Sequence, residues 1–89
     1  MKTIMNVELS LGYAHWKKLM LENESFRQEN QMNLLAYGHE EGNENKVWVV
    51  MEVPSMEHMA GVMNKPEMIK IRQEAGAILS SQQMIKLVE

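Results

Sequence analysis

One run, Asn45-Lys46-Val47-Trp48-Val49-Val50-Met51-Glu52-Val53-Pro54-Ser55, limits what this chain can fold into more than any other. Val and Trp suit a pleated, packed surface, and the Pro-Ser that follows ends the ladder, so the run reads as a strand in the interior of a sheet. Its alternation divides it into two faces. Val47, Val49, Met51 and Val53 point one way, and Lys46, Trp48, Val50 and Glu52 point the other. The rest of the chain must cover the first face and account for the second.

The flanking segments supply what the first face needs. Thr3 to Leu11 alternates, with Met5, Val7, Leu9 and Leu11 on one side and Ile4, Asn6, Glu8 and Ser10 on the other, which predicts a half-buried first strand. Gly12 breaks it. From Tyr13 to about Gln28 the apolar period becomes helical through Trp16, Leu19, Met20 and Phe26, and the capping-box spacing of Ser25 and Gln28 predicts a break near Asn23. Met32 to His39 is read as a second strand, joined to the central one through the turn-forming run Glu40 to Asn45.

After Pro54, Ser55 is expected to cap a helix bearing Met56, Met59, Ala60 and Met63 on one stripe. Asn64-Lys65-Pro66-Glu67 predicts a restart capped by Asn64, followed by a second stripe of Met68, Ile71, Ala75 and Ile78. Gln83 to Val88 alternates as a closing strand. The expected class is α+β: a ferredoxin-like βαββαβ domain over residues 1–89, with a four-stranded antiparallel sheet in the order 4-1-3-2 and its helices on one face.

That topology leaves the face carrying Trp48 and Val50 without cover. Ile4 lies there with Asn6 and Glu8, and Met84 with Lys86 and Val88, or the reverse if the register differs. A chain of 89 residues without cysteine has a small core and no disulfide to reinforce it, so a second copy packed sheet to sheet is the expected solution. The assembly would be a dimeric α+β barrel with its helices outside; the alternative is a monomer with one exposed Trp.

The segments Tyr13 to Leu19, Phe26-Arg27, Asn45 to Val53, Asn64 to Met68 and Glu74-Ala75-Gly76 resemble the dimeric α+β barrel superfamily. Within it, the chain is most similar to small single-domain proteins related to antibiotic biosynthesis monooxygenases. The resemblance implies a site between helices and sheet, as in cofactor-free quinol monooxygenases and haem-degrading relatives. In the haem-degrading branch an Asn on strand one acts with a Trp and a His on helix two. Asn6 matches the first position, but Val62 or its neighbour and Arg72 stand at the others, so haem degradation is not expected and no cofactor is implied.

Candidate chemistry is sparse. His58 is a candidate general base, the bland reading being a surface His at a helix start, and Arg72 is a candidate holder of a carboxylate or enolate, or else a salt-bridge partner of Glu74 or Glu67. Asn6, His15, Trp16, Tyr37, Met59 and Met63 are candidate ligand contacts, although core or interface packing also explains the Trp and Met residues. Three scattered His show no metal-ligand spacing, so no metal site is expected. The net charge of −3, without a basic block, and a central strand with one aromatic argue against nucleic acid. No run has the length of a membrane span, and the early polar residues argue against a signal peptide, so a cytoplasmic location is expected.

The functional expectation is a homodimer that acts as a cofactor-independent monooxygenase-like enzyme on a small aromatic or quinol-like molecule. A non-catalytic ligand-binding or sensor dimer is the alternative, and a structural protein with a filled interior is a third reading.

Overall fold

A computed structural model describes residues 1–89. Its elements in chain order are β1 (Lys2–Leu9), α1 (Tyr13–Glu22), α2 (Glu24–Glu29), β2 (Asn33–Glu40), β3 (Asn43–Glu52), α3 (Met56–Met63), α4 (Pro66–Glu74) and β4 (Ala77–Leu87). Both expected helices are thus broken in two. The strands form one antiparallel sheet in the order β2-β3-β1-β4, as the sequence predicts.

The two faces of β3 behave as its alternation requires. Val47, Val49, Met51 and Val53 are buried, and they meet Met5, Val7 and Leu9 of β1 under the helices. Trp16 and Met20 of α1, Met59, Val62 and Met63 of α3, and Met68 of α4 complete that core. Trp48 remains 37% exposed on the opposite face.

The breaks have local causes. Asn23 Nδ2 donates to the Leu19 carbonyl at 2.7 Å, closing α1, and the same residue starts α2. Ser25 lies inside α2, so the expected capping box does not form. Ser55 does cap α3, its hydroxyl accepting from the His58 amide at 3.0 Å. Asn64 closes α3, and Lys65 is the N-cap of α4 with Pro66 in its first turn, one residue later than the sequence suggests. On α3, Val62 replaces Ala60 in the buried stripe, since Ala60 is exposed.

Larger departures occur at the start of β4 and within it. Gly76 takes a left-handed φ of 83° and ends the helical run, so Ile78 lies in the strand rather than on the α4 stripe. Leu11 falls outside β1, which ends at Leu9, and is exposed. The Ser10 amide donates to the Gly76 carbonyl at 2.8 Å, holding this reversal against the end of β1. Along β4, Asn6 pairs with Gln83 and Glu8 with Ile78, so Leu79, Ser80, Ser81 and Gln82 stand opposite Val7 alone. The Ser81 hydroxyl accepts from the Glu8 amide at 2.8 Å and takes the place of a ladder acceptor in this bulge.

The face assignment of β4 is accordingly the second of the two registers considered. Met84 and Lys86 stand opposite Met5 and Thr3 on the helix side, while Gln83, Ile85 and Leu87 share the open side with Asn6, Ile4 and Lys2. Ile85 is 60% exposed there. At the far edge, β3 begins at Asn43, so the hairpin turn is shorter than the run Glu40 to Asn45 implies.

Candidate functional site

An apolar cavity of about 60 Å³ lies between the helices and the sheet. Six of its lining residues are Met: Met5 and Met51 from the sheet, Met20 from α1, Met59 and Met63 from α3, and Met68 from α4. Trp16 forms part of another wall, stacked on Tyr13 at 5.7 Å between centroids and tilted against Tyr37 at 6.0 Å. Of the 15 lining residues 13 are hydrophobic, and the remaining two are Arg27 and Arg72. The lining therefore carries two positive charges and no carboxylate.

The two arginines arrive from different sides. Arg27, on α2, is 6% exposed, and its Nη1 donates to the Met20 carbonyl near the end of α1. Burial lowers its pKa, partly offset by the nearby negative charge of Glu24. Arg72, on α4, has its pKa lowered by burial alone. No acid pairs with it, since Glu74 is bridged to Lys70 at 4.0 Å instead. Arg72 Nη2 is buried and has no hydrogen-bond partner. An unsatisfied buried donor on a cation is costly, by roughly 1–3 kcal/mol, and an anion in the cavity would remove that cost.

Four of the expected site residues thus meet at one place: Arg72, Trp16, Met59 and Met63. Tyr37 touches Trp16 from outside the cavity and lines an adjoining cleft. The others point elsewhere. Asn6 lies on the open face of the sheet, its Nδ2 donating to Gln83 Oε1 at 3.4 Å. His15 Nε2 donates to the Glu74 carbonyl at 2.7 Å, tying α1 to the end of α4. His58 Nε2 donates to the Asn30 carbonyl at 2.6 Å, and Lys65 Nζ donates to Asn30 Oδ1 at 2.7 Å. His58 therefore joins α3 to the end of α2 and does not line the cavity. No group of three His, Cys, Asp or Glu side chains is arranged to hold a metal ion.

Arg27 is the residue that the sequence reading overlooked. Trp16, Met20, Asn23 and Arg27 are spaced four, three and four apart, a single helical stripe, and an Arg on the stripe of two core residues is the signal that marks it.

The open face of the sheet is a second feature. Ile4, Trp48, Val50, Ile78, Ile85 and Leu87 lie across its four-stranded surface. Trp48 Nε1 donates to Glu40 Oε2 at 2.6 Å, and Lys46 Nζ lies 3.9 Å from the same oxygen, so the indole is held in place at the edge of this patch. No helix of the structure is long and apolar enough to cross a membrane.

No protein-family model matches the chain, and no curated protein matches it in sequence. Solved structures match it in fold. A candidate antibiotic biosynthesis monooxygenase from Bordetella bronchiseptica aligns with a TM-score of 0.75 at 9% identity, over 99% of this chain and 96% of that one. SnoaB, a cofactor-independent oxygenase from Streptomyces nogalater, aligns with a TM-score of 0.66 at 6% identity, over 99% and 92%. An uncharacterised NIPSNAP domain protein from Burkholderia xenovorans aligns with a TM-score of 0.67 at 14% identity, over 100% and 94%. Identities this low establish the fold alone: a ferredoxin-like α+β domain, which these solved structures share.

Proposed function

We propose that the chain takes a compact aromatic or quinol-like acid into the Met-lined cavity, binds it as its anion against Arg72, and works as a homodimer joined through the open faces of its sheets. The observation that carries the first part is the buried, unpartnered Nη2 of Arg72 beside a cavity whose lining has no negative charge. A guanidinium facing an apolar space favours the ionised form of a phenol or enol and lowers its pKa. The proton is then given up to solvent before the guest is enclosed, which fits a lining whose only charged side chains are arginines. At about 60 Å³ the cavity is smaller than the roughly 150 Å³ that admits benzene, so a guest of one ring at most is expected, and only if the lining opens to it. Unbranched Met side chains can turn aside to admit it.

The fold shared with SnoaB supports an oxygenating use of the same site. In that chemistry the bound carbanion or phenolate is the reductant. It passes one electron to O₂, the two radicals join in a C–O bond, and the peroxide anion takes up a proton. Loss of water from a CH–OOH centre leaves a carbonyl, so CH₂ plus O₂ becomes C=O plus water. Arg72 would hold the anionic oxygen throughout, and the apolar walls would exclude solvent. Binding without turnover is the alternative use.

Calorimetric titration with benzoate and hydroquinone, together with oxygen uptake over a hydroquinone panel, tests the reading. Arg72→Met is expected to weaken benzoate binding at least about tenfold. Equal affinity in the variant and the parent would reject Arg72 as the anion holder, and oxygen consumption that depends on Arg72 would separate an enzyme from a binder.

A further inference from the structure

We infer that ligands enter the cavity through the cleft between α2 and the edge strand β2, and that Arg27 at the inner end of that cleft selects anions for entry. This deepens the anion-binding reading and rests on it for the selectivity, but the position of the entrance stands on geometry alone.

The cleft, about 250 Å³, is lined by Glu24, Arg27, Met32, Leu34 and Tyr37 among others. Arg27 and Leu34 also line the inner cavity, so these two side chains form the partition between inside and outside. Leu34 is only half-buried and stands opposite Met51 of the cavity wall. The strand that bears it is held from one side: β2 is the outermost strand and pairs with β3 alone. Its pairing with β3 is also interrupted beside Leu34, where Leu34 pairs with Met51 but Ala36 pairs with Val50. Arg27 is in no ion pair. Its anchor is one carbonyl, that of Met20, which positions the charge at the partition without neutralising it. An anion arriving in the cleft would meet this guanidinium first and Arg72 second. Glu24, exposed in the same cleft, opposes the attraction.

Stopped-flow fluorescence tests this, using Trp16 in the cavity wall as the reporter and benzoate and neutral benzyl alcohol as probes. Leu34→Phe, which enlarges the side chain at the partition without adding an indole beside Trp16, is expected to slow association and dissociation of both probes together. Arg27→Met is expected to slow benzoate association about tenfold and leave benzyl alcohol unaffected. Should Arg27→Met fail to fold, Glu24→Gln on the exposed side supplies the second arm, with benzoate association expected to quicken. Unchanged rates for both probes in Leu34→Phe would overturn the entrance. Equal effects of the Arg27 or Glu24 variants on the two probes would overturn the selectivity. If benzyl alcohol binds the parent protein with rates sensitive to Leu34 but benzoate does not bind, the anion reading fails while the entrance survives. If neither probe binds, both are overturned.

Discussion

At the scale of single residues, the interior contains two arginines that form no salt bridge. Replacing an unsatisfied buried donor by an apolar side chain of similar length removes a desolvation cost, so Arg72→Met should raise stability by about 1 kcal/mol while it weakens benzoate binding at least about tenfold. A denaturant melt beside a benzoate titration would show both, and a destabilised variant would mean that Nη2 has a partner in solution. His58 predicts the contrast. Its bond to the Asn30 carbonyl joins two helices outside the cavity, so His58→Ala should cost about 1 kcal/mol of stability and leave ligand affinity and any oxygen uptake unchanged. Arg72, Trp16, Met59 and Met63 were legible in the sequence because helical spacing places them beside core residues. Asn6, His15 and His58 were not placeable by that rule, since residue type suggests chemistry but only tertiary geometry decides which way a partly buried polar side chain turns.

At the scale of elements, the strand at Asn43–Glu52 was legible from Asn45 onward, because its two-residue alternation is uninterrupted and both neighbouring strands pair with it; its first two residues read as turn formers. β4 was not, and the reason is the bulge. Alternation read back from Val88 cannot show that Leu79 to Gln82 share one partner, and every inference about facing residues changes sign across such a break. The reversal at Gly76 predicts a sharper sensitivity than the other glycines. A Cβ there would lie 3.0 Å from Leu11 Cβ and 3.2 Å from the Leu11 amide nitrogen, in a backbone with φ of 83°. Gly76→Ala should therefore cost about 2–3 kcal/mol, whereas Gly12→Ala, with the same φ but open space, should cost about 1 kcal/mol. Comparable thermal shifts in the two variants would show that the packing against Leu11 is slack.

At the scale of the whole molecule, only 19 of 89 residues are buried, and the sheet presents Trp48, Ile85 and Leu87 to its uncovered side. Covering that side would enlarge the apolar burial of a protein with little to spare. Light scattering at micromolar concentration is expected to give twice 10.3 kDa. Ile85→Glu, which sets a charge on the open face along its β4 side, should return the mass to that of one chain. A single-chain mass for the parent would remove the dimer while leaving the cavity untouched, since no cavity residue lies on the open face. The proposed anion binding turns on the ionisation of a guest. The most direct measurement is the absorbance titration of 4-nitrophenol with saturating protein. An anion held by Arg72 predicts that the apparent pKa of the bound phenol falls by about one unit or more, and that Arg72→Met abolishes the fall. A bound phenol whose pKa is unchanged or raised would show that the cavity stabilises neutral guests, contradicting the account at its centre.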